Sequence, residues 1–284
     1  LLLIRCAGAA VGAESANLLE SIKKEVATLM RSIRKGRLPG SEAIVAESFT
    51  ELGLIQGKVN PIEVQRNFNA LFHRAWLKTL TVLERYEKNV YGENLAEELM
   101  KVRAADFDAA EKENAQYGFR TAVRQLFRSW YPYLVESFLS ISQSRKQRGG
   151  KDFELQFAHL LTLMTLPYER IDRKYRVDFM IPSSAAFARN RTTAMIASAK
   201  RTLRERWREV VEELHNTRAP NVFLVTADSD ISVGHIKEIC GKYNIHLVVW
   251  DEVKQSRFNE EPLVLSYSQW ANDRIPALRQ FWST

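Results

Sequence analysis

Between Tyr175 and Leu214 the chain passes through two strand-length apolar runs, the first with one acid in it and the second ending in a lysine, and then enters a basic helix. The first run, YRVDFMIPS, carries Asp178; the second, TTAMIASAK, ends in Lys200; the helix, RTLRERWREVVEEL, turns from basic to apolar and acidic. An unpaired carboxylate inside an apolar strand costs on the order of several kcal/mol. Asp178 therefore needs a cation or a strand-end position, and Lys200 poses the same problem with the opposite sign. If the two runs pair as neighbours, both charges reach one edge of a sheet. Taken alone, the two residues read most simply as a strand-end salt bridge; the same pair can also hold Mg2+ and a water for phosphodiester hydrolysis.

The segments on either side constrain the fold further. NVFLVTA, SVGHIKEICGKYN and IHLVVWDE alternate strand, helix and strand, a βαβ order that predicts parallel pairing. KDFELQFAHLLTLM reads as a helix before the two runs. The second half is thus predicted as α, β, β, α, β, α, β, an α/β (α+β) mixed β-sheet flanked by helices. The first 140 residues or so read as mainly helical. Leu18, Leu19, Ile22, Val26, Leu29 and Ile33 share one helical stripe, and Asn60-Pro61 opens a helix carrying Phe68, Leu71, Phe72, Trp76, Leu80 and Leu83. Segments 93–117 and 119–141 continue in helical manner, with an interruption predicted at Pro132. SRKQRGGK, from Ser144, has the basic and glycine content of a loop or boundary, so the chain divides into parts 1–143 and 144–284.

Glu213 adds a second carboxylate to the pair. On its helix Trp207, Val210, Val211 and Leu214 define the face against the sheet; at roughly 100° per residue Glu212 points away, whereas Glu213 lies on the flank. Ahead of it, Lys200, Arg201, Arg204, Arg206 and Arg208 are interrupted by Glu205. Such a run is ordinarily a solvated face. Beside a candidate metal site it also has the chemistry of a base reader, since arginine bonds bidentately to guanine and glutamate accepts from cytosine.

The charge balance agrees with a polyanionic partner: 41 Lys+Arg against 34 Asp+Glu in 284 residues, a formal +7. Cys6 and Cys240 have no zinc or disulfide spacing, and the five histidines have no Ser, Cys or second-His partner at a recognisable spacing. No GxxxxGK[ST] or GxGxxG loop is present, which argues against a nucleotide cofactor. The apolar start, LLLIRCAGAAVGA, lacks a basic leader region and is too short to span a bilayer, so no membrane association is expected.

At these residues the sequence resembles the type II restriction endonucleases of the PD-(D/E)XK superfamily, and within it the EcoRII/SsoII/NgoMIV-like branch, whose targets contain CC and GG. Most of the superfamily has an acid two residues before the lysine, where this chain has Ser198. In that branch the acid comes instead from the next helix, thirteen residues after the lysine, which is the spacing from Lys200 to Glu213. KRTLRER is similar to the branch's Arg-Glu-Arg reader of C/G pairs, which carries over to Arg204, Glu205 and Arg206. RGGKDFE is similar to its helix with a glutamate near the site, here Glu154. The resemblance covers about residues 144–250.

It implies a restriction endonuclease-like core at 144–284, with a mainly helical part at 1–143 serving DNA contacts and dimerisation. Asp178 and Glu213 would bind Mg2+, Lys200 would orient or polarise the attacking water, and Glu154 would assist from beside them. Arg145, Lys146, Arg148 and Lys151 would contact phosphates. The expected partners are double-stranded DNA, at a palindromic CCNGG-like target cut to leave 5′ overhangs, and a second copy of the chain; the expected location is the prokaryotic cytoplasm. Members that accept an unspecified central base flip it into an arginine and aromatic pocket. Arg74 and Trp76 do not match that pocket's spacing, and Trp76 reads as a helical core aromatic. Rival readings are a repair or structure-specific nuclease of the same fold, a non-catalytic DNA-binding protein, and a helical interaction protein.

Overall fold

The apolar stripes of the first half do form helices, and helices joined by tight turns account for most of it. A computed structural model describes residues 13–170, 177–203 and 207–282. The helices are α1 (Ala13–Arg34), α2 (Ser41–Glu51), α3 (Pro61–Arg66), α4 (Phe68–Val102), α5 (Ala104–Tyr117) and α6 (Phe119–Leu163). Pro61 sits in the first turn of α3, where it forfeits no helical hydrogen bond, and Asn60 caps that end by accepting from the Ile62 N–H at 2.9 Å. Gly118, at φ 85°, separates α5 from α6 in a conformation that other residues adopt only with strain.

Two expectations are overturned in α6. Pro132 lies inside the helix without ending it, so the missing N–H is tolerated there. Ser144–Lys151, predicted as a loop, is also helical. The basic side chains of this segment suit an exposed helix face. Gly149 has a reason of its own: a Cβ there would come within 3.1 Å of Arg201 Cζ, so the glycine admits the arginine side chain against the helix.

The described residues form two compact units, and one of the borders between them falls within Ser144–Lys151. One unit comprises the described residues of 1–40 and 83–147; the other comprises those of 41–82 and 148–284. In the first, Ile22, Val26, Leu29, Met30 and Ile33 of α1 pack with Val90, Tyr91, Leu95, Leu99 and Tyr133. The predicted α1 stripe is therefore buried except at its start, where Leu18 and Leu19 stay exposed.

The second unit holds a six-stranded sheet in the order β1 (Glu169–Arg170), β2 (Phe179–Ile181), β3 (Met195–Lys200), β4 (Val222–Thr226), β5 (His246–Val249) and β6 (Val264–Ser266). β1, β2 and β3 pair antiparallel, and β3 to β6 pair parallel. This is the mixed sheet flanked by helices that was expected. The central strands are buried on both faces, which is why they read as continuous apolar runs.

Connections are α7 (Ser184–Arg189), α8 (Trp207–Asn216), α9 (Val233–Ile236) with the π-helical turn Lys237–Lys242, and α10 (Asp251–Arg257). After β6 come α11 (Tyr267–Gln269), a second π-helical turn (Trp270–Arg274) and α12 (Ile275–Arg279). α7, β1 and β6 were not predicted; each is six residues or fewer, too short to show a period. One aromatic core joins the layers: Phe68 and Phe72 of α4, Phe153 and Phe157 of α6, Phe179 of β2 and Trp270 are all 1% exposed or less.

Candidate active site

The antiparallel register of β2 and β3 sets Phe179 against Ala197, so the preceding residue, Asp178, falls opposite Ser198 at the strand end. Three donors converge there on one carboxylate oxygen: Ser198 Oγ, the Ala199 N–H and Lys200 Nζ each lie 2.8 Å from Asp178 Oδ2. The problem posed by two isolated charges in apolar strands is thereby solved by pairing them. Ser198 is fully buried, and its hydroxyl donates to Asp178.

α6 brings in Glu154. Phe153 stacks on Phe72 (centroids 5.0 Å apart) and Phe157 meets Phe179 edge-on (5.2 Å), which fixes the helix against β2 and leaves Glu154 Oε1 3.3 Å from Lys200 Nζ. Burial, followed by the negative charge of Asp178, pushes the Glu154 carboxyl above its usual range, against the pull of Lys200 and Arg170. Burial opposes the charge on Lys200, but Asp178 and Glu154 outweigh it and hold the ammonium above its ordinary value. Lys200 is thus a cation at neutral pH, gripped between two carboxylates.

Glu213 is half-buried on α8, Glu212 is exposed, and Trp207, Val211 and Leu214 are buried as their phase predicted. The structure gathers Asp178, Lys200 and Glu154, and it does not close a three-ligand metal cluster of His, Cys, Asp or Glu among the described residues. Among the described residues the donors to Asp178 all sit on Oδ2, and a carboxylate oxygen such as its Oδ1 is of the kind a hard divalent cation takes.

Arg204, Glu205 and Arg206 lie outside the described residues. Among the basic residues assigned to phosphates, Arg145 is engaged through Nε and Nη2 by the buried Glu87, at 2.7 and 2.5 Å. Lys146 is exposed, and Lys151 pairs with Glu42 at 2.6 Å on the surface. Arg148 is half-buried beside Asp152, whose carboxyl burial pushes up. Trp76 stacks on Trp250 with ring centroids 5.7 Å apart and packs against the core, as read from its spacing; Arg74 is exposed.

Sequence reasoning missed Arg170. It stands at the edge strand β1, over the Phe179 ring and 3.5 Å from Glu154 Oε2, so it shares the carboxylate with Lys200. A two-residue strand has no period, so nothing in the sequence pointed to it. Cys240 is buried and free, with its thiol pushed by burial to about 12, and no described helix is long and apolar enough to cross a membrane.

The chain is 25% identical over 273 residues to the type II restriction enzyme SsoII of Shigella sonnei, an alignment covering 90% of this chain and 84% of that protein. The fold is similar to that of metal-depleted Ecl18kI in complex with uncleaved DNA, with a TM-score of 0.78, 23% identity, and coverage of 92% of this chain and 87% of that one. It is also similar to PspGI in a substrate DNA complex, with a TM-score of 0.58, 22% identity, and coverage of 86% and 94%. Residues 108–266, more than half of the chain, match the family model described as EcoRII C terminal. The chain belongs to the EcoRII C-terminal family and is a type II restriction endonuclease of the EcoRII/SsoII-like kind.

Proposed function

We propose that this enzyme cleaves double-stranded DNA at a palindromic target with a CC…GG core, CCNGG-like, and leaves 5′ overhangs in a Mg2+-dependent reaction. The observation that carries the proposal is the Lys200 ammonium bridging Asp178 and Glu154 at the ends of two paired strands. The named relatives are restriction endonucleases, whose chemistry implies a divalent metal. Asp178 and Glu213 would hold that metal, which would supply a polarised water and neutralise charge on the phosphate.

The chain's own residues do the rest. Lys200, held protonated, orients the attacking water and steadies the negative charge that grows on the phosphorus oxygens. Glu154 and Asp178 fix the ammonium from two sides, so its position is set before substrate arrives. Arg204, Glu205 and Arg206 follow Lys200 closely in sequence and read the C/G pairs. Lys146, Lys151, Arg148 and Arg145 supply phosphate contacts. Surface pairs such as Lys151–Glu42 are worth little and exchange readily for a phosphate, while Arg145 keeps Nη1 outside its pair with Glu87.

A palindromic target calls for a two-fold dimer. The helical unit offers an exposed apolar stripe on α6, formed by Phe127, Tyr131 and Phe138, each at least 59% exposed, which suits that contact.

Alanine at Arg204 or Arg206 tests the reading. Selective binding of a CC…GG duplex is expected to collapse toward the affinity for unrelated DNA. A repair or structure-specific nuclease using the same catalytic residues would keep its binding, and that outcome would overturn the proposal.

A further inference from the structure

The carboxyl ends of β3 and β4 lie side by side, with Lys200 in register with Thr226. The chain leaves both strands at the same edge of the sheet. From β3 it continues through Arg201 and Thr202 to Leu203, the residue before Arg204; from β4 it continues through Ala227 to Asp228. There the two exits are tied together, because the Leu203 N–H donates to Asp228 Oδ2 at 2.8 Å. Leu203 is itself 3% exposed, so the residue preceding the basic segment is held by its side chain and by its backbone.

Asp228 is placed as firmly as what it holds. Its own N–H donates to Thr226 Oγ1 at 3.1 Å, and its second oxygen accepts from the Asp230 N–H at 3.0 Å. The carbonyls of the same loop are occupied in turn: Tyr267 Oη donates to Thr226 O at 2.9 Å, Trp250 Nε1 to Ala227 O at 3.2 Å, and Arg257 to Ser229 O and, at 2.8 Å, to Ile231 O. Thr226 and Tyr267 are fully buried. A loop bound at four points to its neighbours presents one carboxylate oxygen to the Leu203 N–H, and a charged acceptor makes that bond stronger than a neutral one would.

A carboxylate is a poor neighbour for a phosphate backbone, so DNA affinity is no reason for an acid here. We infer that Asp228 is a positioning residue for sequence reading, fixing the point from which the Arg204–Glu205–Arg206 segment starts relative to the catalytic end of β3. The inference rests on the reading of Arg204, Glu205 and Arg206 as the base-contacting residues. Asp228 touches no base itself and acts through the backbone it holds, so it sets discrimination between sequences more than affinity for DNA.

The test compares wild type, Asp228→Ala and Asp228→Asn in metal-free binding to three duplexes: one with a CC…GG target, one with a single C/G pair of that target replaced, and one unrelated. For Asp228→Ala the preference for the intact target over the replaced one is expected to fall by roughly tenfold, with affinity for the unrelated duplex kept within about twofold. Asp228→Asn keeps an oxygen acceptor for the Leu203 N–H and is expected to hold the preference within about threefold of wild type. A purely structural loss would lower binding to all three duplexes together in both variants, and that result overturns the inference. So does an Asp228→Ala protein that discriminates as well as wild type. If wild type shows no preference among the duplexes, the reading of Arg204, Glu205 and Arg206 has failed, and the inference falls with it.

Discussion

Lys200 Nζ and Asp178 Oδ2 lie 2.8 Å apart at the ends of two paired antiparallel strands, a charge-assisted contact at the edge of an otherwise apolar sheet. Removing the ammonium leaves two carboxylates facing each other across its place. Lys200→Ala is therefore expected to lower the cleavage rate by at least about 10²- to 10³-fold, the scale of losing one preorganised charge donor. Metal-free binding of the target should change far less. Cleavage within a few-fold of wild type would remove Lys200 from the reaction.

Helix phase separates two adjacent acids. Glu213 is half-buried on the flank of α8, whereas Glu212 is exposed. Glu213→Gln is expected to raise the Mg2+ concentration needed for half-maximal cleavage by roughly ten- to a hundredfold, on the scale of a changed metal ligand or its support. Glu212→Gln should leave it unchanged. Metal titrations of the two variants check this, and equal curves would exclude Glu213 as a ligand.

The apolar stripe of α6 has a clear readout. Replacing Phe127, Tyr131 and Phe138 together with serine removes exposed aromatic surface and replaces none of the buried residues of that unit's core. Sedimentation is expected to show a dimer for wild type and a monomer for the triple variant, with circular dichroism unchanged. A variant that still sediments as a dimer places the interface elsewhere.

His159 packs against Phe49 with centroids 4.9 Å apart, and burial lowers its pKa below the ordinary 6.5. The imidazole is neutral in the fold and gains a proton more readily when unfolded. Its contribution to stability is present above pH 6.5 and is lost as pH falls from there toward the folded-state value. His246, also lowered by burial, acts in the same direction. His159→Phe is expected to flatten the drop in melting temperature between neutral and acid pH, as followed by thermal denaturation in a buffer series.

Much of this was legible because the relevant physics is local. A single acid in YRVDFMIPS and a single base closing TTAMIASAK had to be paired, and they are. The parallel strands read as unbroken apolar runs because both of their faces are buried. The phase of α8 separated Glu212 from Glu213 by spacing alone. What failed depends on contacts made through space. α6 runs on through SRKQRGGK, and its far end is anchored by Phe153 and Phe157, contacts that the local composition does not encode. Arg170 and Asp228 were invisible for the same reason: Glu154 lies on another element, and Leu203 is 25 residues away from its acceptor.

The most direct test is a digest of plasmid DNA by the wild-type enzyme with Mg2+, followed by sequencing of the fragment ends. Discrete fragments whose ends carry 5′ overhangs at CC…GG sites are expected. DNA left intact across Mg2+, Mn2+ and Co2+, or cut at ends sharing no sequence, would contradict the account.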